Sequence, residues 1–269
     1  MAKNIFVGVN GVAKKPKAIY VGVNGVARKV KAAYVGVNGV ARKVWPNSIL
    51  PDTYKRLEYI SRTTIRSGSN TVMNSARINT GVIADAYTKI FCKFMLISTT
   101  DSFSYHYVFK AAAARDTYPS YGFSLNNYVY TGNSKLNGNI SFYNKSYNHA
   151  CTDSHTNILY ELTFNDNGKF YLNNTLIYTA TDYSGSETTE TIRIFNPYYI
   201  NQTYTSPGNM RLYAFKIWKN NTNLVRDMYP CYRKSDNVNG MYDIINNVFY
   251  SNEVTDHPED FARGPEVDE

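Results

Sequence analysis

Residues 158–180 read ILYELTFNDNGKFYLNNTLIYTA and contain the alternation that decides the fold. Ile158, Tyr160, Leu162 and Phe164 fall at every second position, which is the spacing of one face of a β-strand. The segment NDNG at 165–168 is typical of a tight turn, and NN at 173–174 predicts a second one. The stretch is therefore predicted to form three short strands joined by tight turns.

The same alternation recurs elsewhere in the chain. In one predicted strand two sets of side chains take alternate positions: Ile90, Cys92, Phe94 and Leu96 on one face, and Lys89, Phe91, Lys93 and Met95 on the other. Further strands are predicted at 191–195 and 210–218. No segment shows the 3.6-residue period of a helix. Many short strands separated by Asn, Gly and Asp turns predict an all-β sandwich or barrel.

The first 45 residues contain a 14-residue repeat. FVGVNGVAKK at 6–15 recurs as YVGVNGVARK at 20–29 and again at 34–43. An Asn-Gly pair between two β-rich runs predicts a hairpin, because a type I′ turn needs a positive φ at both central residues. Val23 is then expected to face Val26, and Val21 to face Arg28. Each repeat is predicted to be an amphipathic hairpin with valines on one face.

Hairpins this short need another surface, because an isolated two-stranded hairpin is marginally stable in water. We expect residues 1–45 to anchor the chain, either to other proteins of a larger particle or to sister chains in a homo-oligomer. The residues expected to carry this anchoring are Tyr20, Val21, Val23, Asn24, Gly25, Tyr34, Val35, Val37, Asn38 and Gly39.

The positive charge of the chain is concentrated in the repeats. Nine Lys and Arg residues and no Asp or Glu precede Asp52, so the net charge of +8 falls to −1 for the rest of the chain. The basic residues could contact nucleic acid or an acidic protein, but we favour the solvation of exposed strand edges and expect no nucleic-acid partner.

Two prolines in 46–52 indicate a linker, and a large domain is predicted at 53–269.

Cysteine usage and hydropathy exclude several classes of protein. Three cysteines, Cys92, Cys151 and Cys231, do not make a disulfide framework. The apolar stretch at 5–9 is interrupted by Gly8, so no signal peptide is predicted and we expect synthesis in the cytoplasm. No run approaches the roughly 18–20 apolar residues of a membrane span, so no membrane insertion is expected.

Two groups of side chains are candidate metal ligands. His149, Cys151, Asp153 and His155 alternate and could face zinc, but zinc sites usually draw ligands from separate segments, so a polar strand or loop is the favoured interpretation. Calcium is possible near the predicted turn at 165–168, although NDNG is also an ordinary hairpin turn. Its candidate oxygen ligands are Asn165, Asp166, Asn167 and Asp182. No metal site and no other cofactor are predicted.

The acidic residues do not predict an enzyme. A glycosidase needs two carboxylates across the sugar, and the Glu-x-Asp-x-x-Glu spacing of jelly-roll glucanases is absent. The remaining candidates fall in turn-like or Pro-containing stretches: Glu187, Glu190, Glu253, Asp256 and Glu259. No nucleophile elbow, phosphate-binding loop or zinc-protease motif is present either.

The composition favours binding instead, because 25 tyrosines accompany abundant Asn and Ser. Tyr offers a stiff amphipathic surface and Asn offers adaptable hydrogen bonds, a combination suited to sugars. Three Tyr- and Asn-rich stretches are predicted as glycan contacts, although any single Tyr is more often a half-buried strand residue. The predicted contact residues are Tyr118, Tyr121, Asn126, Tyr128, Tyr130, Tyr198, Tyr199, Asn201 and Tyr204.

A family resemblance is carried by both ends of the large domain. It opens with LPDTYKRLEYI at 50–60 and INTGV at 78–82, and later contains YAFKIW at 213–218 and LVRDMYPCYRKSD at 224–236, followed by GMYD at 240–243 and GPEV at 264–267. These stretches resemble a group of concanavalin A-like (laminin-G-type) jelly-roll domains encoded by phages and prophages of Gram-positive bacteria. The N-terminal repeats are similar to segments that precede such domains in phage structural genes.

The resemblance implies a virion component, such as a tail fibre, tip or receptor-binding protein. We therefore expect the repeats to fasten the chain to other virion proteins and the jelly roll to bind a host surface polysaccharide, with the chain acting as a homo-oligomer such as a trimer. The alternative is a structural decoration or fibre protein of the virion that binds no glycan.

Overall fold

The computed structural model describes most of the chain in separate ranges: residues 7–9, 12–14, 19–30, 33–37, 40–45, 49–62, 76–98, 105–111, 120–127, 136–143, 145–150, 156–180, 187–195, 209–253 and 261–267. Every regular element in these ranges is a β-strand. The chain divides into two compact units: Met1–Asp52 with Asp268–Glu269, and Thr53–Val267.

The first unit contains three hairpins, each of which is a separate two-stranded sheet. Their strands are β1 (Val7–Val9) with β2 (Val12–Lys14), β3 (Tyr20–Val23) with β4 (Val26–Lys29), and β5 (Ala33–Val37) with β6 (Val40–Trp45). Val23 pairs with Val26 and Val21 with Arg28, as the repeat predicted.

The middle hairpin shows why the register is fixed. Asn24 and Gly25 have φ values of 51° and 76°, the left-handed values that a two-residue type I′ turn requires. The Val30 amide donates to the Ile19 carbonyl at 2.8 Å, which closes the open end of the hairpin.

The second unit contains two antiparallel sheets. The larger has 11 strands. Its strands are β7 (Tyr54–Arg56), β8 (Ile60–Arg62), β10 (Lys89–Ser98), β15 (Leu159–Asp166), β16 (Lys169–Leu172), β17 (Thr175–Thr179), β19 (Asn209–Lys219), β20 (Asn223–Arg233), β21 (Asn239–Asp243), β22 (Val248–Tyr250) and β23 (Phe261–Arg263). The main path runs β17-β16-β15-β10-β19-β20-β21-β22.

The smaller sheet has six strands in the order β14-β13-β12-β11-β18-β9. They are β9 (Ile78–Ile83), β11 (Tyr105–Ala111), β12 (Ser120–Asn127), β13 (Leu136–Tyr143), β14 (Lys145–Ala150) and β18 (Thr191–Ile194). The predicted strands within 158–180, at 191–195 and at 210–218 all appear. The prediction of an all-β sandwich preceded by hairpin repeats is confirmed.

The hydrophobic core lies between the inner faces of the two sheets. In β10 the side chains of Ile90, Cys92, Phe94 and Leu96 are fully buried, whereas the residues between them are half-buried. Phe164 of β15 packs edge-on against Phe109 of β11 at a ring-centroid distance of 5.2 Å. Because each such side chain contributes about 1.5–3 kcal/mol when buried, this core supplies the main stabilisation of the second unit.

Candidate functional site

The structure describes two of the nine predicted glycan contacts, Tyr121 and Asn126. Tyr118, Tyr128, Tyr130, Tyr198, Tyr199, Asn201 and Tyr204 lie outside the described residues. Asn126 lies in β12, where its backbone pairs with Tyr105 on one side and Asn137 on the other. The prediction for these eight residues stays a prediction.

The prediction for Tyr121 is wrong, because its side chain is only 1% exposed. Its ring packs against Phe164 at 4.7 Å and Phe142 at 5.4 Å between centroids. Its hydroxyl donates to the Thr88 carbonyl and accepts from the Asn165 amide at 2.9 Å. Tyr121 can enter the core because these partners satisfy its polar end.

The predicted anchoring residues of the middle hairpin are exposed. Tyr20 is 61% exposed, Val21 51%, Val23 39% and Val26 58%. The cross-strand register puts Val21, Val23 and Val26 on one face, so this face is an uncovered strip of apolar surface. In the third repeat Tyr34, Val35 and Val37 lie in β5, and Asn38 and Gly39 lie outside the described residues.

Three connections meet at one end of the sandwich, and we call them the turn cluster. They are residues 84–88 between β9 and β10, residues 165–168 from the end of β15 to the start of β16, and residues 219–222 from the end of β19 to the start of β20. The Asn221 amide donates to the Tyr87 carbonyl at 2.8 Å, and the Asn221 side chain donates to Asn167 Oδ1 at 3.1 Å. Asn221 therefore joins all three connections.

Asn165 is the buried centre of the turn cluster. Its Nδ2 donates to the carbonyls of Ala86 at 2.8 Å and Thr88 at 3.0 Å, on either side of Tyr87. Its Oδ1 accepts from the Gly168 amide at 3.0 Å. Its φ of 58° is a left-handed value that Asn adopts more readily than most residues. One side chain thus fixes the backbone of two turns.

The charged groups around the turn cluster are paired. The Lys219 ammonium contacts the Asp85 carboxylate and donates to the Ile83 carbonyl at 3.1 Å. Lys89 Nζ lies 3.4 Å from Asp166 Oδ1. Burial alone raises the pKa of Asp85, but hydrogen bonds from Lys219 and Thr88 outweigh it and hold the pKa below its ordinary value of 3.8.

This shift predicts an acid dependence of stability. Because the folded-state pKa of Asp85 is lowered, its stabilising contribution is complete above pH 3.8 and is lost as the pH falls through the folded-state value. Asp85→Asn has no carboxylate to protonate. The difference in free energy of unfolding between wild type and this variant, measured in urea, should shrink between about pH 6 and about pH 2. An equal difference at both pH values would contradict the expectation.

Tyr87 and Asn220 of the turn cluster have exposed side chains with no bonded partner among the residues that the structure describes. Tyr87 is 51% exposed. Asn220, with a φ of 51°, is also exposed, and no hydrogen bond of its side chain occurs among the described residues. The Oδ1 atom of Asn221 is buried and also has no partner there. Sequence reasoning missed this group, although the Asn doublet at 220–221 between two β-rich runs signals a turn.

Three of the four proposed calcium ligands bond to other groups of the protein. Asn165 Oδ1 accepts from Gly168, Asn167 Oδ1 accepts from Asn221, and Asp166 pairs with Lys89. Asp182 lies outside the described residues, so calcium binding stays untested. The described ranges bring no three His, Cys, Asp or Glu side chains together. Of the zinc candidates, His149 lies in β14 and the other three lie outside the described residues.

The carboxylates considered for glycoside hydrolysis form ion pairs where they are described. Arg193 lies 2.9 Å from Glu253 and 2.9 Å from Glu190, and Arg77 lies 3.1 Å from Glu253. Burial raises the pKa of Glu253, but Arg193 and Arg77 outweigh it and lower the pKa. A general acid needs a raised pKa, whereas the pKa of Glu253 is lowered by its two arginine partners. Asp256 and Glu259 lie outside the described residues.

Comparison with protein-family models, curated proteins and solved structures finds no match to this chain. Within the described ranges there is no helix of the length and apolar character that crossing a bilayer requires.

Proposed function

We propose that this chain is an adhesive appendage protein of a phage particle and acts by binding, without catalysis. Its three hairpins fasten it to other proteins of the particle, and its sandwich contacts a polysaccharide of the host surface. Several copies per particle, arranged as a homo-oligomer, multiply weak single-site contacts. The chain's resemblance to phage jelly-roll proteins and the geometry of its two units support this proposal.

The observation that carries the proposal is the uncovered valine face of the middle hairpin. Val21, Val23 and Val26 are each more than a third exposed, on a sheet of only two strands. Burying a valine contributes about 1.5 kcal/mol or more, so a partner that covers this face stabilises both the contact and the hairpin. Three copies of the same sequence give three such contacts in one chain.

The sandwich supports the recognition half of the proposal. It has its own hydrophobic core, and the exposed groups of the turn cluster are available for contact. Glu190 and Glu253 are held in ion pairs with Arg193, an arrangement that favours structure over acid–base catalysis.

The anchoring half is tested by making the valine faces polar. In the variant, nine valines become threonine, which keeps a β-branched side chain and removes apolar surface. They are Val7, Val9, Val12, Val21, Val23, Val26, Val35, Val37 and Val40. We expect the number of copies in purified particles, measured by mass spectrometry, to fall at least about tenfold, because each contact loses apolar burial. The thermal unfolding of the sandwich should not change.

The matched control changes the opposite face of the same hairpins. Ala13, Ala27 and Ala41 each pair with a glycine across the hairpin, and their replacement by threonine leaves the valine face intact. This control should assemble like wild type. Normal assembly of the nine-valine variant would refute the anchoring role.

A further inference from the structure

We infer that the exposed end of the turn cluster is a binding site for a neutral sugar, with the Tyr87 ring and the Asn220 amide as its contacts. This inference rests on the proposed function, because it names the surface and the class of glycan through which the sandwich would recognise its host. It differs from the Tyr- and Asn-rich stretches that the sequence indicated.

The Tyr87 ring is presented by a fixed backbone. The Tyr87 amide donates to Asp85 Oδ1 at 2.9 Å, and its carbonyl accepts from the Asn221 amide at 2.8 Å. The carbonyls on either side of it, of Ala86 and Thr88, are held by Asn165. A ring that is half exposed on a fixed backbone loses little conformational entropy when a ligand stacks on it. The C–H face of a hexose is such a ligand.

The Asn220 amide supplies the polar half of the site. It adjoins Asn221, whose backbone is bonded directly to Tyr87. Because the Asn220 side chain has no partner within the described ranges, it can both donate to and accept from sugar hydroxyls without breaking a bond. Asn221 acts as a positioning residue, because its backbone amide bonds to the Tyr87 carbonyl and its side chain bonds to Asn167.

The charges around the site select a neutral ligand. Asp85 is paired with Lys219, and Asp166 with Lys89, so neither ammonium group is left over for a phosphate or carboxylate on the sugar. Glu187 lies 3.9 Å from Lys219 and adds a further negative charge. Among these described groups the carboxylates outnumber the ammonium groups, which disfavours the binding of an anionic polymer.

The test uses the full chain on an array of neutral bacterial oligosaccharides and of phosphate- or uronate-bearing ones. The affinity for each soluble oligosaccharide that binds is then measured by calorimetry. We expect neutral glycans to bind, Tyr87→Ala to weaken binding about tenfold, and Asn220→Gly to weaken it severalfold. Glycine preserves the left-handed backbone at position 220.

Two matched controls lie at the hairpin of β16 and β17 in the larger sheet. Asn174 is an exposed asparagine with a φ of 62°, and Leu176 is 50% exposed. Asn174→Gly and Leu176→Ala should bind like wild type. Unchanged affinity of Tyr87→Ala, or binding confined to anionic glycans, would overturn this inference and leave the proposed adhesion intact. If wild type bound no glycan at all, the inference and the recognition half of the proposed function would both fail.

Discussion

Replacement of Asn165 by leucine should lower the free energy of unfolding by about 4 kcal/mol, because it removes a fully buried hydrogen-bonding side chain. The variant leaves the Ala86 carbonyl and the Gly168 amide without the partners that Asn165 gives them. Each buried group left without a partner costs about 1–3 kcal/mol, and leucine tolerates the left-handed backbone of this position poorly. Urea unfolding at neutral pH measures the loss.

Two further variants separate the causes of this loss. Asn165→Gly keeps the backbone conformation and removes the side chain, so it should lose about 3 kcal/mol through the hydrogen bonds alone. Asn174→Gly removes an exposed asparagine at a similar φ of 62° and should change stability by less than about 0.5 kcal/mol. If Asn165→Leu were as stable as Asn174→Gly, Asn165 would not be the centre of the turn cluster.

Gly240→Ala should destabilise the sandwich by about 3 kcal/mol or more, because the added methyl group has no space. A Cβ atom at this position of β21 would overlap the Tyr250 carbonyl oxygen and lie 2.9 Å from Cζ of the Phe249 ring. Both neighbours belong to β22, the strand paired with β21, so relief requires the two strands to separate. The measurement is the midpoint of chemical unfolding.

Gly22→Ala is the matched control for this substitution. Gly22 also lies in a strand, but a Cβ atom there would have no atom within 4 Å. Alanine should therefore leave stability unchanged or raise it slightly by restricting the unfolded chain. Equal effects of the two substitutions would show that the tight packing of β21 against β22 does not limit position 240.

The elements that the sequence predicted correctly are those governed by local rules. The Asn24-Gly25 turn and the alternation in β10 each depend on residues only a few positions apart, so periodicity and turn chemistry suffice to predict them. The pairing of Val23 with Val26 follows from the turn alone.

The features that the sequence did not predict depend on distant partners. Tyr121 is buried because Asn165, 44 residues away, gives its hydroxyl a partner. The connections that carry Tyr87 and Asn220 come together because the Asn221 amide after β19 is bonded to the Tyr87 carbonyl before β10. Composition identified tyrosine and asparagine as the useful residue types, but no local pattern indicates which tyrosine the tertiary structure exposes.

Because each hairpin completes its own ladder of backbone hydrogen bonds, the number of repeats is independent of the fold of the rest of the chain. Recombination within the repeated stretch could delete a copy or insert a fourth without leaving an unpaired strand. Natural selection could thus adjust the number of exposed valine faces, one repeat at a time, while the sandwich evolves separately.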